Sequence, residues 1–306
     1  MSIPLKCPAM LMGASAYILW GIFPLYFYYL TSVGSWEVLS HRIVWSVIAL
    51  VGLLWWKGRH ATALQALRSP KLVGLLAITS GLITTNWIVY IHAVATHRTI
   101  EASLGYFINP IVLILLGLLV FKERLNPYQK ICITLAAAGV IYQIAMLGSV
   151  SWITLVLPAS FGLYGMMKKH IPLDSISSLF IETLIAAPVA AIYLAVLGAQ
   201  GSLGLFNGPP HVQVLLLLAG LVTCIPLILF AEGAQRLPLN TMGFLQYITP
   251  SLQFSIGLFA FGEPMNTHKL IGFIFVWVGL AVLAVGQMKG YRARRELMPA
   301  PVPEAE

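Results

Sequence analysis

One charged side chain stands well inside an apolar run. Arg42 lies six residues into the run 36–56, and a charge deep in a bilayer costs about 2.5–3.5 kcal/mol on insertion scales. The guanidinium should therefore face a bundle interior, a cavity or a partner. Two interpretations stay open: Arg42 receives an anionic group of a small solute, or it has a structural role, in a pair or by snorkelling to the interface. Glu182 occupies the matching place in a second apolar run, 140 residues later.

Three further apolar runs carry polar side chains at helical spacings, so each stripe follows one helix face. The stripes are Thr79, Asn86 and Tyr90, flanked by Trp87; Ser103, Tyr106 and Asn109; and Gln246, Thr249 and Gln253. With Arg42, the candidate solute-binding residues are Asn86, Trp87 and Tyr90 in the first run, Ser103, Tyr106 and Asn109 in the second, and Gln246, Tyr247 and Thr249 in the third. Pro110 and Pro250 each free a backbone carbonyl one turn earlier, and irregular backbone is tolerated at membrane depth where it is buried or lines a cavity. The stripes predict a polar cavity, with interhelical hydrogen bonds as the alternative for each single residue.

Four ionisable side chains in or beside the apolar runs could take up and release a proton. They are His41, His92, Glu182 and Glu232. Histidine titrates near neutral pH, and a buried carboxylate can do so as well, so these residues are candidates for coupling solute movement to a proton gradient. The alternatives are a simple hydrogen bond for each histidine and an interface position for Glu232.

Signatures of catalysis and metal binding are missing from the sequence. Cys7, Cys132 and Cys224 stand singly, and Asp174 is the only aspartate. No HExxH, GxSxG or GxxxxGKS/T motif occurs, which argues against metal chemistry, acyl transfer and ATP as the energy source. We predict no metal, no cofactor and no enzymatic activity, with a membrane-embedded lipid-modifying enzyme as the alternative.

The composition excludes a soluble protein. Of the 306 residues, 59% are hydrophobic and 9% are charged, whereas a soluble domain carries about 25% charged residues. Too few charges remain to coat a globule in water, which excludes a soluble enzyme, a nucleic-acid-binding domain and a disordered chain. The net charge of +8 is thinly spread between apolar runs and indicates contact with anionic lipid on one membrane face, with no nucleic-acid partner.

Ten apolar runs are long enough to cross a hydrocarbon core of about 30 Å, which needs about 20 residues. These runs predict an all-α integral membrane protein of ten transmembrane helices, the first of them a retained helix rather than a signal peptide. The runs are 9–30, 36–56, 72–95, 100–121, 128–147, 151–167, 177–197, 212–235, 241–261 and 269–288. Fifteen Lys and Arg residues of the connecting segments, Lys168 and Lys169 among them, fall on one side and two on the other, so both termini should be cytoplasmic.

The chain contains an internal repeat. Residues 108–139 align with 248–279 at an offset of 140, with nine of 32 positions identical, including Pro110 with Pro250 and Glu123 with Glu263. A unit of five helices forces the second copy to cross in the opposite sense, which is typical of secondary transporters and places the solute site near the midplane. We predict a first repeat at 1–148, a second at 149–288 and a basic, then disordered, tail at 289–306. The alternative is a duplicated scaffold without transport.

Several short motifs carry a resemblance over roughly residues 9–290. The chain resembles the RarD branch of the drug/metabolite transporter superfamily in WGIFPLY at 20–26, HRIVWS at 41–46, TNW at 85–87, EASLGYFINP at 101–110, FKERL at 121–125 and GFLQYITP at 243–250. The resemblance implies two EamA-type repeats in a bacterial inner membrane and secondary active export of small metabolites or drugs. The branch carries a chloramphenicol-related name, but the resemblance fixes no substrate, and an amino-acid-type permease of the same fold is an alternative. The implied partners are a small-molecule substrate and the lipid bilayer, with proton coupling and a homodimer left open.

Overall fold

The computed structural model describes residues 6–95, 99–147, 151–262 and 267–296. Every regular element in these ranges is an α-helix. The helices are α1 (Lys6–Tyr28), α2 (Ser35–Trp56), α3 (His60–Leu67), α4 (Pro70–Ala95), α5 (Thr99–Leu119), α6 (Pro127–Leu147), α7 (Trp152–Lys168), α8 (Ser175–Ala199), α9 (Gly204–Asn207), α10 (Pro210–Arg236), α11 (Leu239–Gln246), α12 (Ile248–Phe259) and α13 (Thr267–Glu296). Within the described ranges, six of them have the length and apolar composition to cross a membrane: α1, α2, α4, α6, α8 and α10.

Two predicted spans differ from the structure. The run 241–261, predicted as one helix, is divided into α11 and α12 at Tyr247, because Pro250 has no N–H to donate to the carbonyl of Gln246. The last span continues to Glu296 rather than ending at residue 288, since the Arg, Ala and Glu residues of the basic segment are good helix formers. Glu263 and residues 297–306 lie outside the described part of the chain.

Polar side chains cap the helix ends. Asp174 accepts hydrogen bonds from the backbone of Ile176 and Ser177 at the start of α8, and Arg59 lies 2.9 Å from its carboxylate. Burial raises the pKa of Asp174, but the hydrogen bonds from Ser177 and Arg59 outweigh burial and hold this pKa below its usual value. At α6, Asn126 and Gln129 exchange backbone-to-side-chain hydrogen bonds of 2.8 and 2.9 Å, which is a capping box.

The chain divides into two compact units. One contains α6 and α13, which meet along a glycine seam. A Cβ on Gly139 would lie 2.9 Å from the carbonyl oxygen of Gly272, and one on Gly279 would lie 3.0 Å from that of Cys132. Only glycine allows such a close backbone approach, so the small-residue packing that the spacing of Gly272, Gly279 and Gly286 predicts is confirmed.

The other unit contains α1 to α5 and α7 to α12. Its core is an aromatic cluster in which each ring lies within 6.3 Å of another. The cluster consists of Tyr17, Trp20, Phe161, Tyr164 and Phe230. It joins α1, α7 and α10, and large rings in edge and tilted contact fix the positions of these helices.

Helices α2 and α10 pack closely enough to require glycine. A Cβ on Gly220 would overlap the backbone of Trp45 and Ser46. We therefore expect Gly220→Ala to destabilise the protein by about 1–3 kcal/mol, since the helices must separate, measured as a loss of melting temperature in detergent. Gly81→Ala is the matched control because Gly81 also lies inside a membrane-length helix, α4, and has open space around it. That variant should gain up to about 1 kcal/mol from helix propensity, and equal losses in both variants would contradict the packing argument.

Candidate functional site

The close packing of α2 and α10 positions a buried arginine. Arg42 is 4% exposed, and its Nε donates a 3.0 Å hydrogen bond to Oγ1 of Thr223 on α10. Thr223 in turn donates to the carbonyl of Ala219 at 2.8 Å, so its hydroxyl is oriented to accept from the guanidinium. One edge of the guanidinium is therefore fixed by the protein.

Aromatic side chains surround this guanidinium. Its central carbon lies 4.7 Å from the ring centroid of Trp87 on α4 and 5.6 Å from that of Phe27 on α1, within the range of a cation–π interaction. Tyr90 follows Trp87 by about one turn of α4, and its ring meets that of Tyr106 on α5 edge to face at 5.5 Å. The Arg42 site consists of Arg42, Phe27, Trp87, Tyr90, Tyr106 and Thr223.

The positive charge at the Arg42 site has no protein counterion among the described residues, since none of their carboxylates lies within 4.0 Å of it. Its Nη1 and Nη2 donate to no residue in the described ranges, and neither atom is among the fully enclosed polar atoms that lack a partner. The hydroxyls of Tyr90 and Tyr106 likewise donate to no described residue and are not fully enclosed. The Nη edge of a buried positive charge is therefore available to a ligand, and two tyrosine hydroxyls without partners among the described residues lie on the adjoining helices α4 and α5.

The structure brings only some of the predicted solute-binding residues to this site. Trp87 packs on Arg42, and Tyr90 and Tyr106 pack on each other one turn further along α4. Asn86 instead donates to the carbonyl of Leu157 at 2.8 Å and to Ser160 at 3.1 Å. Thr249 donates to the carbonyl of Tyr17 at 2.8 Å. Asn86 and Thr249 thus make interhelical hydrogen bonds, which is the alternative that the sequence left open. The side chain of Ser103 lies outside the described part of the chain.

A second group of predicted residues lies where α5 packs on α11. A Cβ on Gly243 would lie 2.8 Å from the carbonyl oxygen of Pro110. Near this contact Asn109 is buried, and within the described ranges neither of its amide atoms has a hydrogen-bond partner. The same holds for Oε1 of Gln246, while Tyr247 is fully buried at the junction of α11 and α12. Buried amides without protein partners are available to a polar ligand or to water.

A buried ion pair forms the most polar cluster of the same unit. Nζ of Lys168 lies 3.0 Å from Oε1 of Glu182 and 2.5 Å from the hydroxyl of Ser178. Thr79 donates to Oε1 of Glu182 at 2.6 Å, and Tyr164 donates to Oε2 at 3.4 Å. The Lys168 and Glu182 side chains are 0% and 1% exposed. The charge of Glu182 is therefore balanced by Lys168, and its carboxylate connects α4, α7 and α8.

Sequence reasoning missed the partner of Glu182. The loop count treats Lys168 as an interface cation, yet the structure buries it completely. A usable signal is the spacing: Tyr164 and Lys168, like Ser178 and Glu182, lie four residues apart and so share a helix face. Two such polar pairs in consecutive helices joined by a short connection predict a buried network more strongly than either pair alone.

His41 belongs to a separate buried group on α2. Its Nδ1 accepts a 3.2 Å hydrogen bond from the indole of Trp45, which leaves the proton of the neutral ring on Nε2. Nε2 lies 3.6 Å from Oε1 of Glu37, and the same oxygen accepts a 2.6 Å hydrogen bond from the backbone of Gly204. This carboxylate therefore anchors the segment before α10 as well as facing the imidazole.

The remaining two coupling candidates lie elsewhere. Glu232 forms an ion pair with Arg236 one turn later on α10. Their side chains are 17% and 50% exposed, so the Glu232 carboxylate is only partly buried and is paired with a cation on its own helix. The ring of His92 lies beside Trp152, with the centroids 5.9 Å apart.

Comparison with known proteins identifies the family. A model described as the EamA-like transporter family matches residues 8–144 and again residues 149–285. The chain belongs to the EamA-like transporter family. It is 40% identical over 286 residues to an uncharacterized transporter of Vibrio cholerae serotype O1, covering 93% of this chain and 95% of that protein. It is 42% identical to the uncharacterized transporter YojE of Bacillus subtilis (strain 168), covering 92% and 95%, and 38% identical to Protein RarD of Escherichia coli (strain K12), covering 93% and 96%.

These relatives confirm the predicted RarD-type membership of the drug/metabolite transporter superfamily. This EamA-family chain is thus a multi-pass membrane protein of a transporter family, and its bacterial relatives indicate a bacterial inner membrane. One solved crystal structure superposes with a TM-score of 0.67 at 16% sequence identity, covering 90% of this chain and 97% of the other. At that identity the likeness shows the fold alone.

Another feature of this EamA-family protein is a carboxylate brace at the end of α5. Oε1 of Glu123 accepts hydrogen bonds from the backbone of Leu239 at 2.7 Å and from Lys169 at 3.1 Å, and Oε2 accepts from the backbone of Asn240 at 2.9 Å. The carboxylate thus caps the N-terminus of α11, which has no side-chain cap of its own. Through these contacts Glu123 braces the segment after α5 against the start of α11.

Removing the brace is expected to weaken the protein. Glu123→Ala leaves two backbone N–H groups and one ammonium without their acceptor, at a cost of about 1–3 kcal/mol, measured by thermal melting in detergent. Glu232→Ala removes a partly exposed carboxylate and should cost at most about 1 kcal/mol. If both variants have the same melting temperature, the Glu123 carboxylate does not stabilise the start of α11.

An apolar groove of about 270 Å³ also lies between α2 and α10. It is lined by Ala49, Leu50, Gly52, Leu53, Trp56, Leu221, Cys224, Ile225 and Ile228. Trp56, Leu221 and Ile225 are exposed, which suits contact with lipid chains. The lining offers no charged group to orient a solute, so we assign the candidate site to Arg42 and not to this groove.

Proposed function

We propose that this chain is a secondary active transporter that exports small metabolites or drugs across the inner membrane by alternating access, with the solute bound at the Arg42 site. The observation that supports this most is a buried guanidinium that has no counterion in the described part of the chain, packs against two aromatic rings and keeps an Nη edge that is not fully enclosed. A buried charge is costly, so retaining it unpaired favours a role in binding.

We further propose ten transmembrane helices arranged as two inverted repeats, with both termini cytoplasmic. The two matches of the family model, one to each half of the chain, support the repeat. Two reciprocal hydrogen bonds also support the repeat. In each, a charged residue on the second membrane-spanning helix of one half bonds to a threonine on the third membrane-spanning helix of the other half. Arg42 donates to Thr223, and Thr79 donates to Glu182.

The orientation can be tested separately from transport. Cysteines placed at positions 123 and 263 in a cysteine-free background should react with membrane-impermeant thiol reagents from opposite sides of the bilayer. Labelling from the same side would contradict the inverted repeat and the two gates that alternating access needs.

For energy coupling we propose the proton gradient. Glu182 is the candidate in the largest buried network, since its carboxylate contacts groups from α4, α7 and α8. A proton on Glu182 would cancel its attraction to Lys168 and so change the contacts that join these helices. Flux that is independent of the proton gradient over a wide pH range would contradict this part of the proposal.

Transport itself is tested in proteoliposomes. Vesicles containing the purified protein are loaded with the small-molecule extract of the host cells, and solute loss is followed by mass spectrometry against protein-free vesicles. We expect protein-dependent loss of a defined subset of solutes, accelerated by an imposed pH gradient. Chemical change of a lipid without any solute flux would support the enzyme alternative and contradict the transporter.

A further inference from the structure

We infer that the Arg42 site binds the carboxylate of a small organic anion that carries a single negative charge and an apolar, ring-containing body. This rests on the proposed function, because it names the substrate class of that same site. The decisive juxtaposition is the Nη edge of Arg42, which has no partner among the described residues, with the rings of Trp87 and Phe27, whose centroids lie 4.7 and 5.6 Å from the guanidinium carbon.

The donor set matches a carboxylate. A guanidinium has donors and no acceptor, and it binds carboxylates through two parallel N–H···O hydrogen bonds. Because Thr223 already accepts from Nε, the pair that remains is Nη1 and Nη2, which a carboxylate can approach end-on. Tyr90, one turn after Trp87 on α4, and Tyr106, whose ring lies 5.5 Å from that of Tyr90, supply two further hydroxyl donors on the α4 side of the site.

The charge balance limits the solute to one negative charge. Arg42 contributes a single positive charge, and Lys168, the other buried Lys or Arg side chain among the described residues, is paired with Glu182 at 3.0 Å. A phosphate monoester carries about −1.5 to −2 at pH 7 and would leave negative charge uncompensated in a buried site. A monocarboxylate leaves none.

The surroundings also disfavour an ammonium group. The carboxylate of Glu182 is paired with Lys168, and an oxygen of Glu37 is held by the backbone N–H of Gly204 at 2.6 Å. A zwitterionic amino acid would therefore bring a positive charge to a site that already holds one. The rings of Trp87 and Phe27 beside the guanidinium instead offer contact to an apolar body.

Five probes that share a phenyl body and differ in their polar group test this inference. They are phenylacetate, phenylalanine, phenethylamine, phenyl phosphate and 2-phenylethanol. Binding to the purified full-length protein in detergent is measured as the rise in melting temperature against ligand concentration. We expect phenylacetate to bind at least about tenfold more tightly than the other four, a difference of about 1.4 kcal/mol.

Variants connect the preference to the site. Arg42→Gln should abolish the preference for phenylacetate, and the double variant Tyr90→Phe/Tyr106→Phe should weaken its binding by about tenfold or more. Arg236→Gln is the matched control, since it removes a partly exposed arginine that is paired with Glu232 and should leave binding unchanged. The tyrosine variant keeps the inference testable if Arg42→Gln does not fold.

The outcomes separate this inference from the proposed function. Equal or tighter binding of phenyl phosphate, 2-phenylethanol or phenylalanine overturns it, as does no binding of phenylacetate at about 10 mM. If phenylacetate binds as expected while vesicles loaded with cell extract show no flux, the transporter proposal fails and the carboxylate site stands. If the vesicles lose only solutes that lack a carboxylate, independently of Arg42, the carboxylate site fails and the transporter stands.

Discussion

Lys168→Ala is expected to be the most destabilising single substitution in this chain. It leaves the Glu182 carboxylate, 1% exposed, without its cation, and breaking a buried ion pair costs about 3–5 kcal/mol. Stabilities of folded domains are about 5–15 kcal/mol, so the variant should lose a large part of its stability. The measurement is the melting temperature and the yield of monodisperse protein in detergent.

Two further variants show whether the pairing is the cause. Lys169→Ala removes the neighbouring lysine, which is 21% exposed and paired with Glu123, and should cost at most about 1 kcal/mol. Lys168→Met combined with Glu182→Gln removes both charges at similar side-chain volume. The double variant should recover most of the stability lost in Lys168→Ala, because replacing both members of a buried ion pair by uncharged residues often leaves stability unchanged. A double variant as unstable as Lys168→Ala would show that packing, and not charge pairing, explains the effect.

Arg42→Met is expected to have the opposite profile, with transport lost and stability kept. The variant gives up the hydrogen bond to Thr223 but also removes a buried charge that has no protein counterion within the described ranges. Its melting temperature should therefore stay near or above that of the unmodified protein. Replacing a functional residue often raises stability, because function retains a side chain whose burial is unfavourable. Loss of two charged hydrogen bonds to a solute should reduce flux about a hundredfold or more.

The Arg42 prediction needs both readouts. Arg42→Lys keeps the charge but loses the paired N–H donors, so it should retain only part of the flux, while Arg236→Gln should retain all of it. If Arg42→Met melts as low as Lys168→Ala, the residue has the structural role that the sequence left open. Unchanged flux in a normally folded Arg42→Met protein would remove it from the solute site.

Much of the helical layout follows from apolar run length alone. Long runs predict helices because the backbone must satisfy its own hydrogen bonds in lipid. The division at Tyr247 was missed, since the sequence identifies Pro250 as an irregularity but does not say whether the helix bends or ends there. The glycine seam of α6 and α13 was predictable because a seven-residue spacing of glycines has few other uses in a membrane helix.

The site was less predictable than the helices. Spacing placed Trp87, Tyr90 and Tyr106 on suitable faces and flagged Arg42 by the cost of its charge, but Asn86 has an equally suitable position and bonds to α7 instead. A one-dimensional pattern tells which residues share a face and not which neighbour that face meets. Thr223 could not be found in this way, because a lone threonine in an apolar helix gives no signal until its partner is known.

The α6–α13 seam has a consequence for the origin of the chain. On the proposed repeat, α6 closes the first half and α13 closes the second, so each half ends in a glycine-lined surface that is covered by the other half. An ancestor with one such half could cover that surface only by associating with another molecule. The fraction of associated molecules would then depend on the concentration of the ancestral protein. On the same proposal, gene duplication and fusion would replace that encounter with a tethered one. The linker would supply a high effective concentration, and assembly would no longer depend on how much protein the cell makes.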